Sequence, residues 1–472
     1  MSIGSAGGIL NSPGPRGVPH DPFLLVRQRH PSYFTRMTLP RTGDHIRVVV
    51  TGLGALTPIG NSVPATWDAM LAGVSGAAPI THFDASAYDT TFACEVKNFD
   101  PLAIMDRKQA KRLDPVCHYA LAAAREAMTD ARLTPDTLTD AMRDQIGVVF
   151  GSGIGGITSF QEQTSVFVTK GPNRVSPFFI PMLIPDMAAG IISIEYGLRG
   201  PNHCVVTACA TGNHNLADAM MLIQSGQAPI ILCGGTEAAI CGVGVAGFSS
   251  MKALSTRNDS PATASRPFDA AREGFVIGEG AGALVLESLE SALARGVPIY
   301  AEILSVGASA DAYHITAPHP EGLGARLAME RALRQAGISR ESVDTVNMHG
   351  TSTPLGDVAE SHAIRAVFGE HANALVATST KSMTGHTLGA AGAIEAIASI
   401  LAITDGVIPP TINFSEPDPA CDLNYAFNTP VRRSVRVAMS NAFGFGGHNT
   451  SAVFVAYEGP GELRPAMASQ GG

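Results

Sequence analysis

The sequence predicts an α/β fold, on three observations. Apolar, β-branched segments alternate with segments of helical spacing between residues 46 and 457, the pattern of mostly parallel sheets covered by helices. A motif of reactive residues stands at a strand-to-helix junction in each half of the chain, at Cys209 and at Lys381–His386, which suggests a duplication. Hydrophobic residues make up 45% of the 472 positions, charged residues 15%, and 50 positions are Gly. Few charges and many small residues suit elements buried on both faces. No Pro/Gly-rich linker separates 46–290 from 291–457, so the halves are expected to form one continuous unit.

Taken in order, IRVVVTG (46–52) reads as the first strand, followed by a helix over Val63–Leu71 and a second over Lys108–Ala131. QIGVVFGSG (145–153) and PIILCGGTE (229–237) read as buried strands. After residue 270 the pattern recurs. AGALVLES (281–288) and YAEILSVGASA (300–310) are strand-like, and Gly324–Gln335 is helical. VDTVNMHG and ALVATST are strand-like, Ala390–Ile403 is helical, and VAMSNAF and TSAVFVAYE close the series as strands.

Cys209 is the most informative residue. It lies in VVTACATGNHNLADAM (205–220), where a β-branched run reads as a buried strand turning into a helix. A thiol at a helix N-terminus meets unpaired N–H groups and the positive end of the dipole, which stabilise a thiolate. Most buried cysteines are inert, but two distant segments favour a nucleophile. NMHGTSTPLGD (347–357) puts His349 at a strand end opening into a Gly/Pro loop. TKSMTGHTLGAAGAIE (380–395) puts His386 between a strand and a helix of small residues. Two such histidines with one thiol fit an assembled Cys-His-His site.

The net charge of −9 disfavours non-specific nucleic-acid binding. A local basic cluster, Arg107, Lys108, Lys111 and Arg112, is still available to an acidic protein partner, or is a solvated helix face. Seven cysteines without a CxxC pair point to reduced thiols and a cytoplasmic setting. No metal is expected: zinc on Cys209, His349 and His386 would need a fourth ligand or an open position. GSGIGG (151–156) lacks the Gly-Lys-Ser/Thr ending of a phosphate loop, so no nucleotide cofactor is expected. No apolar run is expected to reach the ~18 residues of a membrane span. Residues 1–45, rich in Gly, Pro and Arg, read as a disordered or targeting extension, with an organelle setting as the alternative if they are a transit peptide. Residues 458–472 read as a disordered tail.

Together the Cys209, His349 and His386 motifs, GSGIGG, RPFDAAREGFVIGEGAGALVLE (266–287) and NAFGFGGHN (441–449) resemble the condensing enzymes, the β-ketoacyl-acyl carrier protein synthases. The likeness covers 46–457 in order, and KSMTGH and FGFGG look most like the type II elongating class. Two positions depart from the pattern: Asn213, at a variable site, and His448, where many bacterial members have Thr. The resemblance implies a thiolase-like duplicated fold in five layers, α-β-α-β-α, with mostly buried mixed sheets, and a homodimer. It implies that Cys209 holds an acyl group while His349 and His386 bind the malonyl thioester oxygen. Lys381 and Glu395, 14 positions apart, would pair to order the histidines. The backbone N–H groups of Cys209 and Phe445 would form the oxyanion hole, with Phe445 as a gate. Thr351 and Thr353 would bind the pantetheine arm of an acyl carrier protein, and Ile154 and Phe248 would line the acyl pocket. A ketosynthase of a polyketide pathway would share Cys209, His349 and His386 and differ in pocket and partner. A thiolase would carry a second cysteine in the C-terminal glycine motif, which NAFGFGGHN lacks, and a non-catalytic partner subunit would lack Cys209.

Overall fold

A computed structural model describes residues 46–461, 463 and 464. The expectations for 1–45 and 465–472 lie outside the described residues. The unit from residue 46 onward holds one ten-stranded mixed sheet. Its first five strands are β1 (Val48–Leu56), β2 (Ile146–Gly151), β3 (Asn202–His203), β4 (Ile230–Glu237) and β5 (Gly280–Ser288). The other five are β6 (Ala301–Ala310), β7 (Thr345–Asn347), β8 (Val376–Thr378), β9 (Val437–Gly444) and β10 (His448–Val455). Across the sheet the order is β8-β7-β9-β10-β6-β1-β5-β4-β2-β3.

That order contains the duplication. Reading outward from the middle gives β1-β5-β4-β2-β3 on one side and β6-β10-β9-β7-β8 on the other, the same sequence of steps. The directions match as well. β2 runs parallel to β3 and β4, and β7 to β8 and β9, while β5 and β10 are antiparallel to both their neighbours. The two fives meet where Val48–Val50 of β1 pair antiparallel with Ala301–Ile303 of β6.

Helices α1 (Val63–Leu71), α2 (Pro115–Asp130), α3 (Ile157–Lys170), α4 (Met187–Tyr196), α5 (Thr211–Gln224), α6 (Leu323–Ala336), α7 (Pro354–Phe368) and α8 (Ala391–Asp405) supply the other layers. α2 and α4 cover the outer face of the first five strands, with Ala120, Ala124, Ile192, Val148 and Val285 in that core. α6 and α7 cover the second five, around Met329, Ile364, Val346 and Met439. α5 and α8 lie between, where Leu216, Ile223, Ile394 and Ile397 pack with Ile231, Leu284 and Phe454. These are the five layers the resemblance implies. The first turns of α5 and α8 approach so closely that only glycine fits. A Cβ on Gly212 would lie 2.6 Å from the Ala393 amide nitrogen, and one on Gly392 would lie 2.8 Å from the Asn213 nitrogen. Asn213, one of the two departures, is buried and donates across the halves to the Ser440 carbonyl.

Several sequence expectations are corrected. The helix over Lys108–Ala131 is two pieces, Arg107–Ala110 and Pro115–Asp130, because Pro115 lacks an N–H and clashes with a preceding turn. Asp114 instead accepts from the Val116 N–H and starts α2. Val205–Thr207 is not a buried strand, and Val206 is 45% exposed. Side chains of α5 take the amides that a neighbouring strand would take: Asn215 accepts from Val205 N and Thr211 from Thr207 N. The tail is not free throughout, since Arg464 N donates to the Ile299 carbonyl and its guanidinium lies over Tyr300. Among the described residues, and against the sequence expectation, one segment, Leu388–Asp405, is long and apolar enough to span a membrane. It is 83% buried inside the molecule and includes the central helix α8.

The close α5–α8 contact generates a test. Gly212→Ala should lower stability by ~1–3 kcal/mol through overpacking. The midpoint of denaturant unfolding measures this, and an unchanged midpoint contradicts the stated contact.

Candidate active site

Three loops from equivalent or neighbouring strand ends open on one cavity of about 410 Å³, lined by Cys209, His349, His386, Phe445 and Phe248. Cys209 lies between β3 and α5. Lys381 and His386 lie between β8 and α8, the corresponding place in the second half. His349 follows β7. The duplication thus carries the nucleophile loop and one histidine loop to facing positions.

Cys209 sits in a 3-10 turn, Ala208–Ala210, that runs into α5 without a side-chain cap. Ala208 holds a φ of +50°, a conformation that is costly for a residue with a Cβ and concentrates at functional sites. Burial pushes the Cys209 thiol up to about 12, and the nearby Glu237 charge adds to this. Lys381 and the N–H groups of Phe445 and of Cys209 itself, both directed at Sγ, work the other way. The helix N-terminus expected to make a thiolate is present, but desolvation outweighs it in the resting site. Phe445 stands in the β9–β10 turn, where Gly446 and Gly447 take φ of +85° and +75°. Its ring lies 6.5 Å from that of Phe248. His448, the other departure, is exposed at the start of β10 and lines no part of the cavity.

The two imidazoles meet edge to face, ring centroids 5.2 Å apart at 87°. His386 is held by its backbone, with its N–H on the Val276 carbonyl and its carbonyl accepting from Gly278 N. Phe275 packs edge-on against its ring at 5.3 Å. Burial and the Lys381 cation hold both histidines well below the ordinary imidazole range, so both are neutral. Each Nδ1 is buried without a hydrogen-bond partner among the described residues. A proton there would be a stranded donor, so the favoured tautomer carries it on Nε2, the nitrogen left for the cavity.

Lys381 and Glu395 form a direct ion pair with only 1% and 2% of their side chains exposed. Burial raises the Glu395 carboxyl to about 7 and the lysine opposes the rise. Thr351 and Thr353 line the cavity with hydroxyls 3.1 Å apart, and Thr353 also caps α7 through Gly356 N. Phe248 lines the cavity, whereas Ile154 does not and is 37% exposed.

Sequence reasoning missed Glu360 and Glu237. Glu360, on α7, accepts the N–H groups of His349 and Gly350 at 2.8 Å each and the Asn441 amide at 3.1 Å, fixing the histidine loop. It follows His349 by eleven residues, on a helix that also buries Asp357 and Ser361, so the sequence alone did not single it out. Asp357 braces the same loop, accepting from Phe268 N and Ser352 N, and Arg272 reaches the Thr353 and Pro354 carbonyls. The RPFDAAREG segment is therefore the scaffold of the HGTSTPLGD loop.

Two family models match the chain: the N-terminal domain of beta-ketoacyl synthases over residues 46–292 and the C-terminal domain over 300–415. This chain belongs to the β-ketoacyl synthase family. The 3-oxoacyl-[acyl-carrier-protein] synthase 2 of Synechocystis sp. is 51% identical over 412 residues, covering 87% of this chain and 98% of that protein. Among solved structures, the ishigamide ketosynthase/chain length factor aligns with a TM-score of 0.82 at 38% identity, covering 88% of this chain and 100% of its own. A type II polyketide ketosynthase in complex with its acyl-carrier protein aligns at 0.81 and 33%, with coverages of 88% and 100%.

The buried ion pair allows a clean test. Lys381→Met alone leaves Glu395 stranded and should lower stability by about 3–5 kcal/mol, while Lys381→Met with Glu395→Leu should lose much less. Thermal or denaturant melts of the three proteins read this. Equal losses in the single and double variants contradict the pairing.

Proposed function

We propose that the chain is a type II β-ketoacyl-acyl carrier protein synthase, working on Cys209, His349 and His386. It condenses an acyl group with malonyl-acyl carrier protein, releasing CO2, in fatty acid chain elongation. The observation that carries the residue roles is the shared cavity: one thiol with two N–H donors at its sulfur, facing two neutral imidazoles.

The Cys209 sulfur attacks the acyl thioester of the carrier, and the pantetheine sulfur leaves, taking up the proton the thiol gives up. The malonyl thioester then enters with its carbonyl oxygen on the Nε2–H groups of His349 and His386. Its carboxylate leaves as CO2, and the electron pair left behind is held as an enolate against those donors. That carbon attacks the acyl carbonyl on Cys209. The N–H groups of Cys209 and Phe445 take the oxyanion, and collapse expels the Cys209 sulfur as a thiolate, which takes up a proton from solvent to restore the resting thiol. Lys381 reinforces the burial that keeps the imidazoles neutral, and Glu395 holds Lys381. Thr351 and Thr353 take the pantetheine arm. Phe445 and Phe248 close the way to an acyl pocket that reaches Ile154 once Phe445 swings. The exposed cluster Arg107, Lys108, Lys111 and Arg112 supports docking of an acidic carrier protein. The open edge at β3, with exposed Val206 and Ile194 nearby, supports a homodimer, and the reduced thiols support a cytoplasmic setting. The fatty acid reading is preferred to a polyketide pathway because the curated 3-oxoacyl-[acyl-carrier-protein] synthase 2 is 51% identical, against 33% for the type II polyketide ketosynthase structure.

Cys209→Ala should abolish covalent acylation, read as intact mass after incubation with acyl-carrier protein. A persisting acyl mass would sink the assignment. Cys209→Gln should still decarboxylate malonyl-carrier protein, and adding His349→Ala or His386→Ala should cut CO2 release by roughly 10²–10³. Because the imidazoles' pKa values lie below the ordinary range, they stay neutral as pH falls. CO2 release by Cys209→Gln should therefore remain level from about pH 8 to 6, where ordinary imidazoles take up protons. A decline centred near an ordinary histidine pKa contradicts neutral donors. Phe445→Ala should slow Cys209 acylation by long chains or raise uncoupled CO2 release. A variant that only melts earlier, with substrate order intact, ends the gate.

A further inference from the structure

Glu237 ends β4 and has no role in the steps above. Its carboxylate is fully buried, and it gathers backbone from two loops. Oε2 accepts the N–H of Gly153 at 2.9 Å and of Gly389 at 3.0 Å, and Oε1 accepts the Ser152 hydroxyl at 2.5 Å and the Ile154 N–H at 3.4 Å. Gly389 comes three residues after His386. A third segment closes on the same point. A Cβ on Gly153 would lie 3.0 Å from the Ala208 carbonyl oxygen, and one on Gly389 would lie 2.4 Å from the Gly153 nitrogen and 2.8 Å from Glu237 Oε2. Ala208 is the strained residue just before the nucleophile. One carboxylate therefore sits where the Ile154 loop, the Cys209 turn and the His386 loop meet.

We propose that Glu237 is a positioning residue for the condensation, holding these three segments in register so that acyl pocket, thiol and imidazole face one another. This rests on the reading of Cys209 as the acyl acceptor. Burial is the main reason the resting thiol stays protonated, and the charge of Glu237 adds to it by opposing the thiolate. The other groups bearing on Cys209 are Lys381, which favours the thiolate, and the neutral His349 and His386 of the same cavity. Glu237 itself faces N–H and hydroxyl donors, and burial lifts it to about 7.

Glu237→Gln tests this, because it removes the charge at nearly constant shape. Its amide oxygen belongs on the side of the Gly153 and Gly389 N–H groups, which leaves the NH2 facing Ser152, whose hydroxyl already accepts Gly155 N. Two readouts separate positioning from plain stability: the pH profile of iodoacetamide alkylation at Cys209, followed by peptide mass, and the ratio of condensation rates for short and long acyl primers. The alkylation profile should move down by about one pH unit, and the primer ratio should change several-fold. Glu237→Asp, which keeps the charge and loses reach, should leave the alkylation profile in place and still change the ratio. If Glu237→Gln does not fold, the aspartate ratio alone decides. An unchanged alkylation profile in Glu237→Gln, or an unchanged primer ratio in either variant, overturns the proposal whatever happens to the melting temperature. Alkylation does not require acyl transfer, so failure of the condensation reading would show separately, as an unacylated wild-type Cys209.

Discussion

The site depends on one buried cation. A lysine taken out of water costs several kcal/mol unless a partner and hydrogen bonds compensate it, and Glu395 on α8 is that partner. From its place before α8, Lys381 acts on three groups at once. It adds to the burial that keeps His349 and His386 uncharged, and it draws the Cys209 thiol back from the value burial alone would impose. Neutral imidazoles can donate one hydrogen bond each in a fixed direction, which is what an enolate oxygen needs. A charged pair 5.2 Å apart would repel, and would be poorly solvated in this cavity.

That electrostatic arrangement exists because the fold is doubled. The two five-stranded halves share one strand order, so the loop before α5 and the loop before α8 are the same topological position used twice. One copy carries a nucleophile and the other carries Lys381 and His386. The central helices meet through Gly212 and Gly392, and this close contact brings the copies within reach of one cavity. His349 joins from β7, steadied by Glu360 and by the segment around Arg272. Neither half contains a complete site.

Much of this was legible in the sequence, and the reasons differ by element. Long, strongly patterned segments such as Val63–Leu71 and PIILCGGTE declared themselves by period and by β-branched content. The Cys209, His349 and His386 motifs were readable because each reactive residue stands where an apolar run stops. Val205–Thr207 misled, since β-branched residues favour strands but here lie at the sheet edge, with α5 side chains on their amides. Pro115 was an available signal that the long helix must break. Glu237 and Glu360 could not be assigned from spacing, because a buried carboxylate is defined by the backbone amides it meets in three dimensions. The resting state of the thiol was likewise a matter of burial against dipole, which local sequence does not weigh.

Both histidines wait as neutral Nε2–H donors. Long-range 1H–15N correlation spectra of histidine-labelled protein at about pH 7, assigned with single histidine variants, report charge and tautomer directly. His349 and His386 alike should show neutral rings protonated on Nε2. An imidazolium signal, or a proton on Nδ1, at either residue would contradict it.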